Sequence, residues 1–276
     1  RAFLDRILAG HMPERGRVNL SPMLLESGKL NGDLTVACID SETYYLFGSS
    51  VAQNMHLRWF EKHLEGVEDV IYKNMTDDFH GIAISGPNSR ELLSRLTRED
   101  VSSESFKFRD IRDTFIGGVP ALCVRLSFTG ELGYEIYVAP QFQLKLFDEI
   151  QEAGKDLDVK WFGGRALMSM RLEKSWGAWT MDFRPDFTLM ESGLDFFVNW
   201  NKDFIGKDAA LEEKKNGPSK HLSVIEIETE TDVSGDEAVM HNGKCVGYVT
   251  SGGYGHSVSK SLAMTYLPVE LIDEDT

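Results

Sequence analysis

The chain has 276 residues, of which 42% are hydrophobic and 11% aromatic, enough to bury one large core or several smaller ones that share interfaces. This composition excludes disorder over most of the length. The 44 Asp and Glu residues against 29 Lys and Arg give a formal net charge of −15, which disfavours nucleic acid and anionic lipid surfaces as partners. A local basic pocket for a small anion stays compatible with this balance.

Neither a membrane span nor a targeting signal is predicted. No apolar run approaches the roughly 18 residues of a transmembrane helix, and the first residues, RAFLDRILAG, lack the apolar segment of a signal peptide. We therefore expect an intracellular protein without a membrane anchor. The chain begins at Arg1 within a predicted helix, so we expect the numbering to start inside a longer polypeptide, whose missing part could have carried a targeting segment.

The three cysteines give no sign of a metal site. They are far apart in alternating apolar segments and lack the close Cys/His spacing of structural zinc. We predict buried free thiols in a reducing compartment, at Cys38, Cys123 and Cys245.

Hydrophobic spacing in the first 160 residues predicts helices and strands in alternation. A strand followed by a helix occurs twice, with hairpins between, which favours an α+β fold over a doubly wound parallel sheet. In chain order the predicted elements are a helix over 1–9, strands over 34–39 and 44–47, a helix over 51–64, a strand over 81–84, a helix around 92–96, strands over 114–116, 121–128 and 134–138, and a helix over 142–153.

The pattern changes in the C-terminal quarter, where only short strands are predicted. They cover 222–227, 238–240, 245–250 and 262–267, and they suggest a small β-barrel or sandwich. The polar segment 199–217 is interpreted as the connection to this part. The pair Gly252-Gly253 is assigned to a turn.

Several common catalytic motifs are absent from the sequence. No G-x-G-x-x-G opens a helix after a strand, and neither a P-loop nor an H-E-x-x-H zinc motif occurs. Nucleotide-driven chemistry and zinc hydrolysis are therefore disfavoured.

The segment LSFTGELGYEIYV carries an acidic residue among apolar neighbours. Strand alternation places Glu135 and Tyr137 on one face, with Tyr134 and Ile136 on the other. Glu135 either lies on a solvated face or holds a buried partner that offsets its desolvation. The edge of a pterin, with a ring N–H beside an amino group, offers two parallel donors that a carboxylate can accept.

A second acidic candidate, Asp33, follows the Gly-rich turn GKLNG at the mouth of a predicted strand. A turn-forming Asp needs no further function. At a strand end, however, its side chain could equally point into a cleft and accept a proton or stabilise a developing cation.

Residues 164–194 begin with an amphipathic helix that leads into two tryptophans. We expect Arg171 and Glu173 on a solvated or ion-paired face of this helix. Trp176 and Trp179 flank a point where the helical pattern is interrupted. With the DFRPD loop they suit the wall of a cleft for a flat ligand.

Taken together, these segments resemble the T-protein family of aminomethyltransferases, most closely the folate-binding half of sarcosine and dimethylglycine dehydrogenases. The family pattern usually has an Arg four residues before the one matching Arg171, whereas this chain has Leu167 there and places Arg165 six before, as in the dehydrogenase branch. The matching segments occur in family order: GDLTVACI, ISGPNSRELL, LSFTGELGYEIYV, RALMSMRLEKSWGAW, DFRPDFTLMESGL, DFIGKDAAL and NGKCVGYVTSGGYGHSVSKSLAM.

The resemblance implies two intertwined α+β subdomains around a folate cavity over residues 1–200, and a truncated C-terminal β-barrel over 201–276. It implies capture of an iminium or aminomethyl carbon by tetrahydrofolate, which gives 5,10-methylenetetrahydrofolate. It also implies FAD only if a separate flavin domain or subunit exists. The expected compartment is the mitochondrial matrix of a eukaryote or the cytoplasm of a bacterium.

The resemblance further assigns roles to single residues. Asp33 matches the aspartate that assists one-carbon transfer, and Glu135 matches the glutamate that holds the pterin. By the same alignment Phe128 and Tyr137 lie near the folate, while two further residues, Arg165 and Glu191, shape the cavity.

Three other functions stay open from the sequence. The chain could be a folate-binding module of an oxidase without catalysis of its own, or a folate-dependent demethylase with a sulfonium or aryl ether donor. It could also be a scaffold that has kept the fold and lost the cavity.

Overall fold

The computed structural model describes residues 1–272 and contains three antiparallel sheets packed with six α-helices among those residues. The predicted α+β organisation is confirmed.

The first sheet has the order β1-β2-β3 and places its two faces in different cores. On one face Leu34 and Val36 pack against Leu4 and Phe60 of two helices. On the other face Ala37 packs against the second sheet. The elements are α1 (Ala2–Ile7), β1 (Arg17–Leu24), β2 (Leu30–Cys38), β3 (Tyr44–Phe47) and α2 (Gln53–Leu64).

The second sheet has the order β4-β7-β6-β5 and is likewise covered on both faces. Tyr134 and Ile136, on one of its two central strands, pack with Leu93 and Leu146 of two helices. The predicted strand 121–128 ends at Val124, the last residue of this strand to pair with the neighbouring strand β7, and residues 125–132 form the loop that leads there through Gly130 at a φ of 88°. The elements are β4 (His80–Ser85), α3 (Ser89–Leu96), β5 (Ile111–Ile116), β6 (Val119–Val124), β7 (Gly133–Val138) and α4 (Gln143–Ala153).

After α5 (Gly164–Glu173) the chain returns to the first sheet. Trp179 and Leu189 join a core that contains Leu30 of β2, so the two subdomains are intertwined. The segment 199–217, predicted as a connection, contains α6 (Lys207–Asn216). Sequence periodicity missed this helix because Ala210 is its one buried residue.

The third sheet forms the C-terminal part, with the order β8-β11-β10-β9. The turn predicted at Gly252-Gly253 is wrong, since both glycines lie within β10, next to a bulge. Glycine is needed at position 252 because a Cβ there would lie 2.6 Å from the Val233 carbonyl oxygen. The strands are β8 (Lys220–Ile227), β9 (Ala238–His241), β10 (Lys244–Gly255) and β11 (Lys260–Pro268).

The cysteines are free thiols in two different environments. Cys38 and Cys123 are buried, as predicted, but Cys245 is exposed. The prediction was wrong for Cys245 because it pairs with Met240 of β9, the outermost strand of the third sheet.

Across residues 1–272, no helix is both long and apolar enough to cross a bilayer.

Candidate functional site

One face of the first sheet packs against one face of the second, and we call the region between them the inter-sheet cleft. Strand alternation places five side chains on these two faces: Asp33 and Thr35 of β2, Phe47 of β3, and Glu135 and Tyr137 of β7. The rings of Phe47 and Tyr137 meet across it, with centroids 4.8 Å apart. The facing strands continue as a shared apolar cluster beyond these side chains, so the cleft has a packed floor.

Asp33 lies inside β2, where it pairs with Pro22 of β1, and not at the mouth of a strand as predicted. The strand begins earlier than the weak strand formers Asn31 and Gly32 suggest because β1 supplies a long partner. A register shift between Met23 and Leu24 of that partner interrupts the ladder just before Asp33. Bulges of this kind re-aim side chains and are frequent next to active sites.

Strand alternation explains where the Asp33 side chain goes. It shares a face of β2 with Thr35 and Ala37, and Ala37 packs against the second sheet. Burial raises the pKa of Asp33 to about 7, and a hydrogen bond to its own backbone opposes the shift. A carboxyl group that titrates near neutrality can both accept and return a proton at physiological pH.

Glu135 and Tyr137 form a hydrogen-bonded pair on the opposite wall. The Tyr137 hydroxyl donates to Glu135 Oε2 at 2.7 Å, as expected for two residues on one face of β7. Burial raises the pKa of Glu135, while the Tyr137 hydrogen bond and the charge of Lys174 lower it. Of the two alternatives from the sequence, the structure therefore shows a half-buried acid with a partner. That partner engages Oε2 and leaves Oε1 available.

Sequence reasoning missed Lys174, which lies at the C-terminal end of α5 beside this acid. Its ammonium donates to the Ser127 carbonyl oxygen at 2.8 Å and lies 5.3 Å from the centroid of the Trp176 ring. Burial lowers the pKa of Lys174, and the charge of Glu135 raises it. The one available signal was a cation two residues before the Trp-Gly-Ala-Trp segment.

Phe128 is half-buried in the loop that joins β6 to β7, next to Ser127, and so lies at the same end of the cleft as Lys174. Its predicted folate contact stays a prediction. The structure therefore groups this loop with Glu135 and Tyr137.

Two predicted residues are not part of that group. Arg165 is exposed in the first turn of α5. Glu191 is buried, and its carboxylate accepts from the Thr188 backbone N–H at 3.1 Å and from Ser219 Oγ at 3.4 Å. These bonds tie a turn to the start of the third sheet. The cavity-shaping roles of both residues stay predictions.

Arg171 is fully buried, so the solvated alternative for it is wrong and the ion-paired one is correct. Its Nη1 donates to Asp182 Oδ2 at 2.6 Å and to the Trp176 carbonyl oxygen at 2.9 Å. Asp182 also accepts from Ser251 Oγ of β10 at 2.6 Å. This buried network connects the third sheet to the backbone of Trp176, whereas Trp179 lies in the hydrophobic core.

Comparison with known proteins identifies the class of this fold and site. A family model described as the GCVT N-terminal domain matches residues 1–202, and the glycine cleavage T-protein C-terminal barrel domain matches residues 220–276. The chain therefore belongs to the glycine-cleavage T-protein family, the aminomethyltransferase type of enzyme.

The chain is also similar to individual members of this class. The chain is 37% identical over 273 residues to mitochondrial dimethylglycine dehydrogenase of Homo sapiens, an alignment that covers 98% of this chain and 32% of that protein. It is 31% identical over 280 residues to an aminomethyltransferase of Geobacillus sp., covering 100% of this chain and 76% of that protein. The glycine cleavage system aminomethyltransferase T from Bartonella henselae matches in structure with a TM-score of 0.85 at 25% identity, covering 98% of this chain and 73% of that one.

The chain is thus homologous to aminomethyltransferase and to the T-like part of dimethylglycine dehydrogenase, as the sequence motifs indicated. It spans about a third of the length of the dimethylglycine dehydrogenases that it matches.

Proposed function

We propose that the chain transfers a one-carbon unit to tetrahydrofolate, taking an iminium or aminomethyl carbon from a methylated amine or other aminomethyl donor and forming 5,10-methylenetetrahydrofolate. The observation that carries this proposal is the placement of two half-buried acids, Asp33 of β2 and Glu135 of β7, on strand faces that meet at one shared apolar cluster. When bound, tetrahydrofolate supplies the nucleophilic nitrogen for the transfer.

Glu135 suits the pterin edge that carries a ring N–H beside an amino group. Its Oε2 is oriented by the Tyr137 hydroxyl, which leaves Oε1 to accept from a ring N–H or an amino group. The partial burial that raises its pKa also strengthens any hydrogen bond that its charged form accepts. Phe47 and the Tyr137 ring add apolar surface beside it.

Asp33 suits the role of the group that accepts and donates protons during the transfer. A pKa of about 7 lets Asp33 take up a proton that leaves an amine and return it to the departing amine. In its ionised form the same carboxylate stabilises positive charge that develops on the carbon in transfer. Its position on the first sheet, opposite Glu135, separates this role from pterin binding.

The oxidation that would produce the iminium donor needs a redox group in addition to the residues of the inter-sheet cleft. Oxidation of a methylated amine to an iminium releases two electrons, which need an acceptor such as FAD. The longer dimethylglycine dehydrogenases have room for such a part, since the chain covers 32% of the human protein. We place the flavin in a separate domain or subunit that delivers the iminium to the inter-sheet cleft.

Anaerobic calorimetric titration with tetrahydrofolate tests the binding part of this proposal. We expect micromolar or tighter binding to the wild-type chain. Replacing Glu135 by Ala should weaken it by about 2 kcal/mol, because a half-buried charged hydrogen bond is lost. Asp40→Asn is the matched control, since Asp40 is an acid on the β2–β3 turn with its carboxylate bonded to the backbone of that turn. Equal affinities of the Glu135→Ala variant and the wild type would contradict the role of Glu135.

Turnover with the adduct of formaldehyde and glycine, used as an iminium source, tests the catalytic part. Asp33→Asn should lower the rate above the protein-free background by about 100-fold or more with folate affinity largely kept. An unchanged rate would exclude Asp33 as the proton-handling group. Intact binding without any turnover in the wild type would favour a folate-binding module without catalysis.

A further inference from the structure

Lys174 has an unusual position for a solvent-accessible lysine. Its stem passes over Gly130, where a Cβ would lie 3.4 Å from the Lys174 Cβ, and its ammonium is directed to the loop that carries Ser127. Trp176 covers one side of the ammonium. Three protein features therefore hold this side chain at the end of the cleft where Glu135 lies.

Glu135 and Lys174 influence each other without direct contact. The charge of Lys174 lowers the pKa of Glu135, and the charge of Glu135 raises the pKa of Lys174. Within residues 1–272, however, no ion pair joins the two side chains. The hydrogen bond to Ser127 uses one of the three N–H groups of the ammonium, so two donors remain. An acceptor that binds beside Glu135 would meet these donors.

A pterin ring presents the complementary pattern on one edge. Its amino group and its ring N–H are donors, and the C4 carbonyl oxygen next to that N–H is an acceptor. A carboxylate alone satisfies the two donors and leaves the carbonyl oxygen without a partner. A buried acceptor without a partner weakens binding, so the site gains from a donor placed a few ångströms beyond the carboxylate.

We propose that Lys174 is a further folate-binding residue, whose ammonium donates to the C4 carbonyl oxygen of the pterin while Glu135 accepts from the adjacent N–H and amino groups. This inference rests on the proposed function. It makes Lys174 a specificity-determining residue, because it favours 4-oxo pterins over analogues that carry an amino group at the same position.

The test is anaerobic titration of the wild-type chain and the Lys174→Met variant with three probes: tetrahydrofolate, 4-amino-4-deoxytetrahydrofolate and 6-methyltetrahydropterin. Lys174→Met should weaken tetrahydrofolate and 6-methyltetrahydropterin by a similar factor, about tenfold. Affinity for the 4-amino analogue should stay the same or rise, so the preference for the 4-oxo ring falls. Lys62→Met is the matched control, because Lys62 also lies over a tryptophan ring, 5.7 Å from the centroid of Trp59, and should change none of the three affinities.

Two results would overturn the inference while the proposed function stands. One is wild-type affinity of the Lys174→Met variant for tetrahydrofolate. The other is a loss confined to tetrahydrofolate and absent for 6-methyltetrahydropterin, since that would place the ammonium on the glutamate tail. Failure of the wild type to bind tetrahydrofolate at all would instead overturn the proposed function and this inference with it.

Discussion

Replacing Asp33 by Asn should make the protein more stable at alkaline pH, because the fold opposes the ionisation of this carboxyl group. Burial raises its pKa from 3.8 to about 7. Since the pKa in the folded state lies above the unfolded value, the favourable contribution of the neutral form is complete below pH 3.8 and is lost as the pH rises through 7. The wild type therefore carries a penalty above neutral pH that Asn removes.

The size of this penalty follows from the shift. A change of about 3 pKa units corresponds to about 4 kcal/mol, at about 1.4 kcal/mol per unit. This is an upper limit, because Asp33 is only half-buried and solvent screening reduces the effect of its charge. We expect Asp33→Asn to raise the free energy of unfolding by about 1–3 kcal/mol at about pH 8. The gain should shrink towards zero as the pH approaches about 4.

Urea unfolding of both proteins at about pH 5 and about pH 8 measures the difference. Asp40→Asn is an informative control, because it should change the free energy of unfolding in the opposite direction. Hydrogen bonds from the backbone N–H groups of Glu42 and Thr43 lower the pKa of Asp40, so its charged form stabilises the fold and Asn should lose that contribution at about pH 8. Two results would refute the reasoning. One is the same difference in the free energy of unfolding between Asp33→Asn and wild type at both pH values, and the other is a lower free energy of unfolding for the variant at about pH 8.

Two further predictions concern groups outside the cleft. Arg171→Met should lower the free energy of unfolding by about 3–5 kcal/mol in urea titrations, because it leaves the buried Asp182 without its counter-ion. A loss below about 1 kcal/mol would show that the remaining hydrogen bonds to Asp182 suffice. Under native conditions a thiol reagent should modify only the exposed Cys245, and all three cysteines should react after unfolding. Modification of Cys38 or Cys123 in the folded protein would contradict their burial, which raises the pKa of the Cys123 thiol to about 12.

Local patterns predicted those parts of the site that depend on a single strand. Alternation along GYEIYV placed Glu135 and Tyr137 on one face, and the hydrogen bond between them follows from that placement. The same reasoning gave the strands of the first two sheets to within a few residues, except β1 (Arg17–Leu24), which was not predicted as a strand. It succeeded because one face of each strand packs in a core and the period of two is visible in the sequence.

Features that depend on distant partners were not predictable in this way. Arg171 has the spacing of a charged residue on a helix surface, yet its partners include Asp182 and Met264 of β11, 93 residues further along the chain. Strand β2 extends to Leu30 because β1 pairs with it, although Asn31 and Gly32 are weak strand formers. Lys174 was missed for the same reason, since the Ser127 loop that orients it belongs to another part of the sequence.

The network around Arg171 suggests why the third sheet belongs to the working unit. Ser251 of β10 donates to Asp182, Asp182 accepts from Arg171, and Arg171 donates to the Trp176 carbonyl oxygen. Ser251, Asp182 and Arg171 are buried and Trp176 is half-buried, so these bonds are costly to break and hold the backbone just after Lys174 in one place. The first two sheets carry the inter-sheet cleft, but the backbone at Trp176, whose ring lies over the Lys174 ammonium, is held by side chains that the third sheet anchors.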